Sequence, residues 1–261
     1  MTYETIKFEI ADNIATITLN RPERLNAMPP QMADEIAAVL DQLVNARVLL
    51  ITGEGRAFCS GADLAARGTG PKIGRGQAAY GALTRSYNPT MVKLSKLNIP
   101  IITAVNGPAA GIGCSLALCS DFAIAGKSAY FLQAFVNIGL VPDGGASWML
   151  PRLIGKARAT QMMVLGEKIS AEQAADWGMI YKCVDDADLI AEAHSLATRL
   201  ANGPTVAIGI MRQNIANALE MDYANAMSGE AAGQLIAGNS ADAKEGSLAF
   251  LQKRKAEFIG Q

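Results

Sequence analysis

Ile99-Pro-Ile-Ile-Thr-Ala-Val-Asn-Gly-Pro-Ala-Ala-Gly-Ile-Gly-Cys-Ser-Leu-Ala-Leu-Cys119 lies within 24 residues, Leu97 to Ser120, that carry no charged side chain. A helix that crosses a membrane needs about 20 apolar residues whose backbone stays hydrogen-bonded within the helix. Asn106-Gly107-Pro108 sits in the middle of this run, with Gly111 and Gly113 close behind. Asn-Gly and Gly-Pro are turn signals, so the run divides. Ile99 to Val105 reads as a buried strand, then comes a Gly-rich turn, then a buried helix that begins near Gly111. A glycine-lined helix start behind a core strand presents free backbone N–H groups to whatever lies outside it.

Working outward, the flanks alternate strands with helices. Thr5 to Glu9 and Ile14 to Leu19 alternate apolar with polar side chains around Asp12-Asn13, the pattern of a hairpin. Pro22 stops the second strand, and residues 20–27 leave as a loop. Met32, Ile36, Val39, Leu40 and Leu43 recur at three and four, which predicts an amphipathic helix from about Gln31 to Val44. Val48 to Thr52 is almost wholly apolar and follows a helix, as expected of a parallel strand covered on both faces. Gly55 to Leu64 and a polar, glycine-rich segment up to about Gly76 read as loop. Gln77 to Leu97 reads as helix, kinked at Asn88-Pro89.

Beyond the central stretch, Asp121 to Ala125 is another buried strand, and Tyr130 to Gly139 is apolar but ambiguous. Leu140 to Gly145 is a turn. Ser170-Ala-Glu-Gln173 is a capping-box sequence at a helix start. Met179 to Val184 reads as a last strand and Ala187 to Ala201 as a helix closed by Asn202-Gly203-Pro204. From Thr205 onward only helical patterns occur, separated by Gly238-Asn-Ser240.

Composition removes several classes of function. The chain has 261 residues, half of them hydrophobic and 18% charged, with a net charge of −1. That is a globular composition with no global field to recruit nucleic acid or anionic membrane. The cysteines at 59, 114, 119 and 183 form no CxxC pair and no metal spacing, so they read as reduced, mostly buried thiols. Residues 1–10 lack a basic segment followed by an apolar one, and a cytoplasmic protein without a signal peptide is expected. The single histidine, His194, rules out a His-rich metal site and argues against a Ser-His-Asp triad. No phosphate-binding P-loop sequence occurs. Gly111-Ile-Gly113 is no dinucleotide loop either, because Leu116 stands where the third glycine would fall.

Two glycine-containing turns remain, Ser60-Gly-Ala-Asp63 and Ala110-Gly-Ile-Gly113, each just after a buried strand. Backbone N–H groups from two such turns can converge on one oxygen and stabilise negative charge there. The dipole of the helix behind Gly111 would add to this. Equally, the glycines can serve tight turns and close packing alone.

Four segments, in order, carry a family resemblance: Asn20-Arg-Pro-Glu-Arg-Leu-Asn-Ala27, Gly55-Arg-Ala-Phe-Cys-Ser-Gly-Ala-Asp-Leu64, Ala104-Val-Asn-Gly-Pro-Ala-Ala-Gly-Ile-Gly113 and Gly139-Leu-Val-Pro-Asp-Gly-Gly145. Together they resemble the crotonase superfamily, also called the enoyl-CoA hydratase/isomerase family. Phe250 to Phe258 is similar to that family's C-terminal helix. The resemblance implies an α/β fold, a spiral of repeated ββα units over residues 1–200. A helical region over 201–261 would serve trimerisation, often with trimers paired into hexamers, and cover coenzyme A. It implies an acyl-CoA thioester substrate, with coenzyme A part of the substrate and no further cofactor. The thioester carbonyl would sit between the N–H groups of Ala62 and Ile112. The adenine and phosphates would lie along the loop with Arg24, the backbone near Ser60, Ala62 and Leu64, and Lys253 of this or a neighbouring subunit, with Ala27 and Asp63 as further substrate-binding positions.

The family's hydratases carry glutamates at positions that match Ser115 and Phe135 here. Water addition needs one group to activate water and one to deliver the α proton, and neither carboxylate is present. The carboxylate that is present is Asp143, where isomerase-type members carry their single acid. A pocket of Phe131, Phe135, Leu140 and Trp148 would raise its pKa towards neutrality. Its plain alternative is to N-cap the helix that follows. A dehalogenase-type nucleophilic aspartate is disfavoured, since no activating histidine is near in sequence. The expected activity is a double-bond shift in an enoyl-CoA. The rivals are a hydratase with a non-standard water-activating group and a non-catalytic binding relative. The acyl group depends on how residues 72–87 and 133–148 pack.

Overall fold

In a computed structural model the protein is described over residues 3–63 and 74–261. Its central element is a six-stranded sheet in the order β1-β2-β3-β4-β6-β9. The strands β1 (Ile6–Ala11) and β2 (Ile14–Leu19) form the expected hairpin, with Ile6 opposite Leu19 and Ala11 opposite Ile14. Asp12 and Asn13 both have positive φ, 51° and 62°. Two such residues give the primed turn whose twist matches that of the strands. Strands β3 (Val48–Gly53), β4 (Ile101–Val105), β6 (Phe122–Gly126) and β9 (Lys182–Val184) then add in parallel.

Why the central strands are apolar throughout is visible in how their two faces are covered. Leu49, Ile51, Ile101, Val105, Ala123 and Ala125 point into the main core. That core also holds Met32, Ile36 and Val39 of α1 (Pro30–Leu40) and Leu94 of α3 (Asn88–Ser95). Val48, Leu50, Ile102, Ala104 and Ile124 point the other way, onto Leu189, Ala193, Ala197 and Ala201 of α7 (Leu189–Ala201). With successive side chains on opposite faces, both registers must be apolar.

A smaller sheet, β5-β7-β8, lies beyond the first. In it β5 (Ala109–Ala110) pairs in parallel with β7 (Tyr130–Leu132), which pairs antiparallel with β8 (Ile169–Ser170). The ambiguous residues 130–139 therefore split into β7 and a 3-10 turn over Ala134–Ile138. Between β5 and β6 runs α4 (Ile112–Leu118), every residue of it buried. The long apolar run is thus strand, turn, short strand and helix. No helix among the described residues is long and apolar enough to cross a membrane.

Several expected boundaries move. The helix expected over residues 31–44 ends at Leu40, because the chain turns through residues 41–46 before Arg47 donates its N–H to Asn13. The helix expected at 77–97 starts at Arg75 as α2 (Arg75–Ala82). It passes through a π turn (Leu83–Tyr87) before Pro89 and ends at Ser95. A proline without an N–H is absorbed there by a widened turn instead of a sharp kink. The strand expected at 179–184 begins only at Lys182. The glycine-rich segment expected to form a loop lies largely outside the described residues.

After β7, α5 (Ala146–Thr160) runs into a π turn (Gln161–Leu165), and α6 (Ala171–Asp176) starts at Ser170. The Ser170 side chain accepts the N–H of Gln173, as the capping-box sequence predicts. The C-terminal part is α8 (Thr205–Ala218), α9 (Tyr223–Gly238) and α10 (Ala241–Gln252). The resemblance led us to expect helix through residue 258. Instead α10 stops at Lys253, which has a left-handed φ of 54°. The last residues fold back: the buried Asp242 carboxylate accepts the N–H groups of Ile259 and Gly260.

Candidate active site

The two glycine turns found in the sequence are stitched together. Cys59 donates its N–H to Pro108 O at 3.0 Å, and Ala110 donates its own to Cys59 O at 2.9 Å. A Cβ on Gly113 would come within 2.4 Å of Cys59 O, so α4 can approach the first turn only because residue 113 is glycine. Gly61 and Gly111 face each other across the seam, where a Cβ on Gly111 would lie 3.8 Å from Gly61 Cα, and both have positive φ, 111° and 53°. On the far side Met28 donates to Gly61 O and Asp63 donates to Met28 O, which leaves the Ala62 N–H pointing away from that bridge. Ile112 is the first residue of α4, where no carbonyl one turn earlier is available. Neither the Ala62 nor the Ile112 N–H donates to a hydrogen bond among the described residues. Two unused backbone donors on neighbouring turns are available to a carbonyl oxygen that gains charge.

Asp143 reaches this seam through its own backbone. The Gly144 that follows it has φ +60°, and a Cβ there would lie 2.4 Å from Ile112 Cδ1 and 2.7 Å from Ser115 Cβ. Ser115 Oγ donates to Asp143 O at 2.9 Å. The Asp143 side chain does not cap the next helix. Helix α5 starts three residues later, at Ala146, its N-cap position is Gly145 in the left-handed region, and no side chain caps it. Asp143 Oδ1 is instead buried without a hydrogen-bond partner among the described residues. Burial is the one cause acting on this carboxyl, and it pushes the pKa from 3.8 up to about 6. An unpaired carboxyl that titrates near neutrality, next to a turn with a free N–H, is equipped to take up and return a proton.

A sequence model described as enoyl-CoA hydratase/isomerase matches residues 9–261. The chain belongs to the enoyl-CoA hydratase/isomerase family. It is 44% identical to the 1,2-epoxyphenylacetyl-CoA isomerase of Escherichia coli K12, with 99% of each chain covered. It is 34% identical to the crotonyl-CoA hydratase of Syntrophomonas wolfei over the full length of both. Among solved structures, the enoyl-CoA hydratase of Bacillus anthracis superposes with a TM-score of 0.92 at 30% identity, covering 99% of this chain and all of that one. The fold is therefore the α/β crotonase fold with a helical C-terminal region, as the four motifs implied. This family comprises both isomerases and hydratases of acyl thioesters.

Several of the other expected site residues stand elsewhere or do other work. Phe135 is half-buried and its ring edge lies against Gly111, so it walls the second turn. Phe131 is completely buried in the main core, on a strand paired with β5, and supports the turn from beneath. Leu140 is 40% and Trp148 43% exposed, so they are the more open of the four residues expected to line an apolar pocket. Trp148 is held outward, its indole N–H on Glu220 at 2.8 Å and the Arg152 guanidinium over its ring.

Beside the Arg21–Ala27 loop, the Asp63 carboxylate is buried and takes Arg21 Nη1 at 2.8 Å and Arg24 Nη2 at 3.5 Å. Asp63 therefore braces the Arg21–Ala27 loop. Arg24 remains half-exposed, Ala27 accepts Arg21 Nη1 through its carbonyl, and Ser60 donates its N–H to Leu25. Leu64 lies outside the described residues. Lys253 is exposed at the end of α10, and among the described residues no hydrogen bond or ion pair joins its side chain to the Arg24 loop. The one residue that sequence reasoning undervalued is Ser115. Its position was informative as a missing glutamate, but its bond to Asp143 follows from a contact between segments 28 residues apart.

Proposed function

We propose that this protein shifts a carbon–carbon double bond in an enoyl-CoA thioester, with Asp143 as the single acid/base. The reading is carried by one observation: Asp143, the carboxyl at the Ile112 turn, is half-buried, its Oδ1 has no hydrogen-bond partner among the described residues, and its pKa is raised to about 6. In the 3-enoyl to 2-enoyl direction the Asp143 carboxylate takes the proton from C2. The electron pair then moves through the carbonyl onto the thioester oxygen, giving a dienolate. The N–H groups of Ala62 and Ile112 hold that oxygen, and they are already oriented before charge develops. The protonated Asp143 returns its proton to C4, and the double bond comes to rest between C2 and C3. One carboxyl thus leaves the reaction in the form in which it entered. Coenzyme A arrives with the substrate, and the sequence of steps needs no other cofactor.

The nearest alternative is hydration. The named hydratase relatives support it, while Ser115 and Phe135 leave it without the two carboxylates that water addition requires. The test is incubation in D2O with trans-3-hexenoyl-CoA and, separately, with crotonyl-CoA, followed by mass detection. Isomerisation with deuterium entering the acyl chain supports the proposal. Addition of water to crotonyl-CoA without any double-bond shift contradicts it.

We propose that the C-terminal helices mediate a trimer, often paired into a hexamer, and their exposed apolar side chains support this. Met211, Ile215, Leu219, Met227, Leu235 and Ile236 of α8, α9 and their connection are each more than half exposed. An apolar face of that extent calls for a partner surface. Light scattering on the eluting protein should give a mass of three or six chains, and a monomer would remove this part of the reading.

A further inference from the structure

Ser115 is buried, with no exposed surface, inside the first turns of α4. A buried serine in a helix ordinarily returns its hydroxyl proton to the carbonyl four residues back. Here that carbonyl, Gly111 O, lies 3.5 Å away, at the limit of a hydrogen bond, whereas Asp143 O is at 2.9 Å. A hydroxyl has one proton, and the geometry gives it to the neighbouring segment. Among the described residues this is the one hydrogen bond that ties residues 141–145 to anything but the helix that follows them. Val141, two residues from Asp143, is 80% exposed, so apart from the packing of Gly144 on α4 the segment has little other anchorage. The same turn of α4 begins with Ile112, whose Cδ1 occupies the space a Cβ on Gly144 would need.

We propose that Ser115 is a positioning residue: its hydroxyl fixes the Asp143–Gly144 peptide on the turn that carries the Ile112 N–H. The acid/base and the oxyanion donor are thereby held at one fixed separation. This inference rests on the reading of Asp143 as the acid/base. It also gives the residue that stands in place of a hydratase glutamate a part in the isomerase site. Serine at 115 does more than remove a second carboxylate, because it supplies the tether that the remaining carboxylate needs.

Ser115→Ala removes the tether and nothing else, and alanine is the better helix former, so the variant folds. Its kcat for trans-3-hexenoyl-CoA isomerisation should fall about 10- to 100-fold, the loss expected for a misplaced reacting group. Its KM should stay within about twofold, since ground-state thioester binding is untouched. The acid limb of its kcat/KM profile should move from near 6 toward the ordinary carboxyl value of 3.8, as a loosened Asp143 gains water. Wild-type kcat, or a kcat loss with an unmoved pH profile, overturns the inference. Asp143→Asn is run alongside. If it keeps wild-type turnover, the acid/base reading itself fails. If it is inactive while Ser115→Ala is unimpaired, only the positioning role fails.

Discussion

Asp143 is the residue on which chemistry and stability pull in opposite directions. Its folded pKa of about 6 lies above the ordinary value of 3.8, so the native state binds the proton more tightly than the unfolded chain. Stability from this group is therefore greatest below about pH 4 and is lost as pH rises through 6. Keeping the carboxylate ionised and unpaired above that pH costs on the order of 2–3 kcal/mol. Asp143→Asn should accordingly be more stable than wild type at pH 8 in denaturant titrations. The gain should shrink as the pH falls from 6 towards 4, where the wild-type carboxyl is protonated. A gain that grew with acidity would contradict the assignment of burial as the cause. Its neighbour Gly144 has a positive φ and no room for a Cβ beside Ile112 and Ser115. Gly144→Ala should destabilise the fold by about 2 kcal/mol or more and lower turnover with it, read by thermal melts and assay.

At the scale of elements, what could be read from the sequence was what periodicity and turn chemistry encode. The hairpin at Asp12-Asn13, the division of the apolar run at residues 106–108 and the cap at Ser170 all follow from local rules. Ser170→Ala should cost about 1 kcal/mol in denaturant titration and leave turnover unchanged, because it removes only the cap of α6 and β7 stands between β8 and the seam. Short elements set by partners were not legible: β5 and β7 exist because Ala109 pairs with Phe131. The same limit applied to the site. The two turns and Asp143 were visible as motifs, but their assembly depends on Gly113 packing on Cys59 and on Ser115 reaching Asp143. Trp148 was legible as an apolar side chain near Asp143, but its indole bond to Glu220, 72 residues away, was not. Gly113→Ala tests the seam directly. With a Cβ forced against Cys59 O, the turns must part, and turnover should fall more than stability does.

The whole molecule is a sheet core with the site on one set of turns and a helical C-terminal region closed by its own tail. Asp242 holds Ile259 and Gly260, and Arg47 grips Phe258 O, Gly203 O and Thr205. Asp242→Ala takes away the acceptor of the Ile259 and Gly260 N–H groups and should release the tail to limited proteolysis while the core melts cooperatively. A tail still protected would show that the apolar contacts of Phe258 are enough to hold it. The central claim concerns one carboxyl, and its most direct test is solvent-deuterium exchange into a bound enoyl-CoA by wild type and Asp143→Asn. The account predicts exchange and double-bond migration in wild type, and neither in Asp143→Asn, although that variant still binds the thioester. Exchange at the wild-type rate in Asp143→Asn would contradict it.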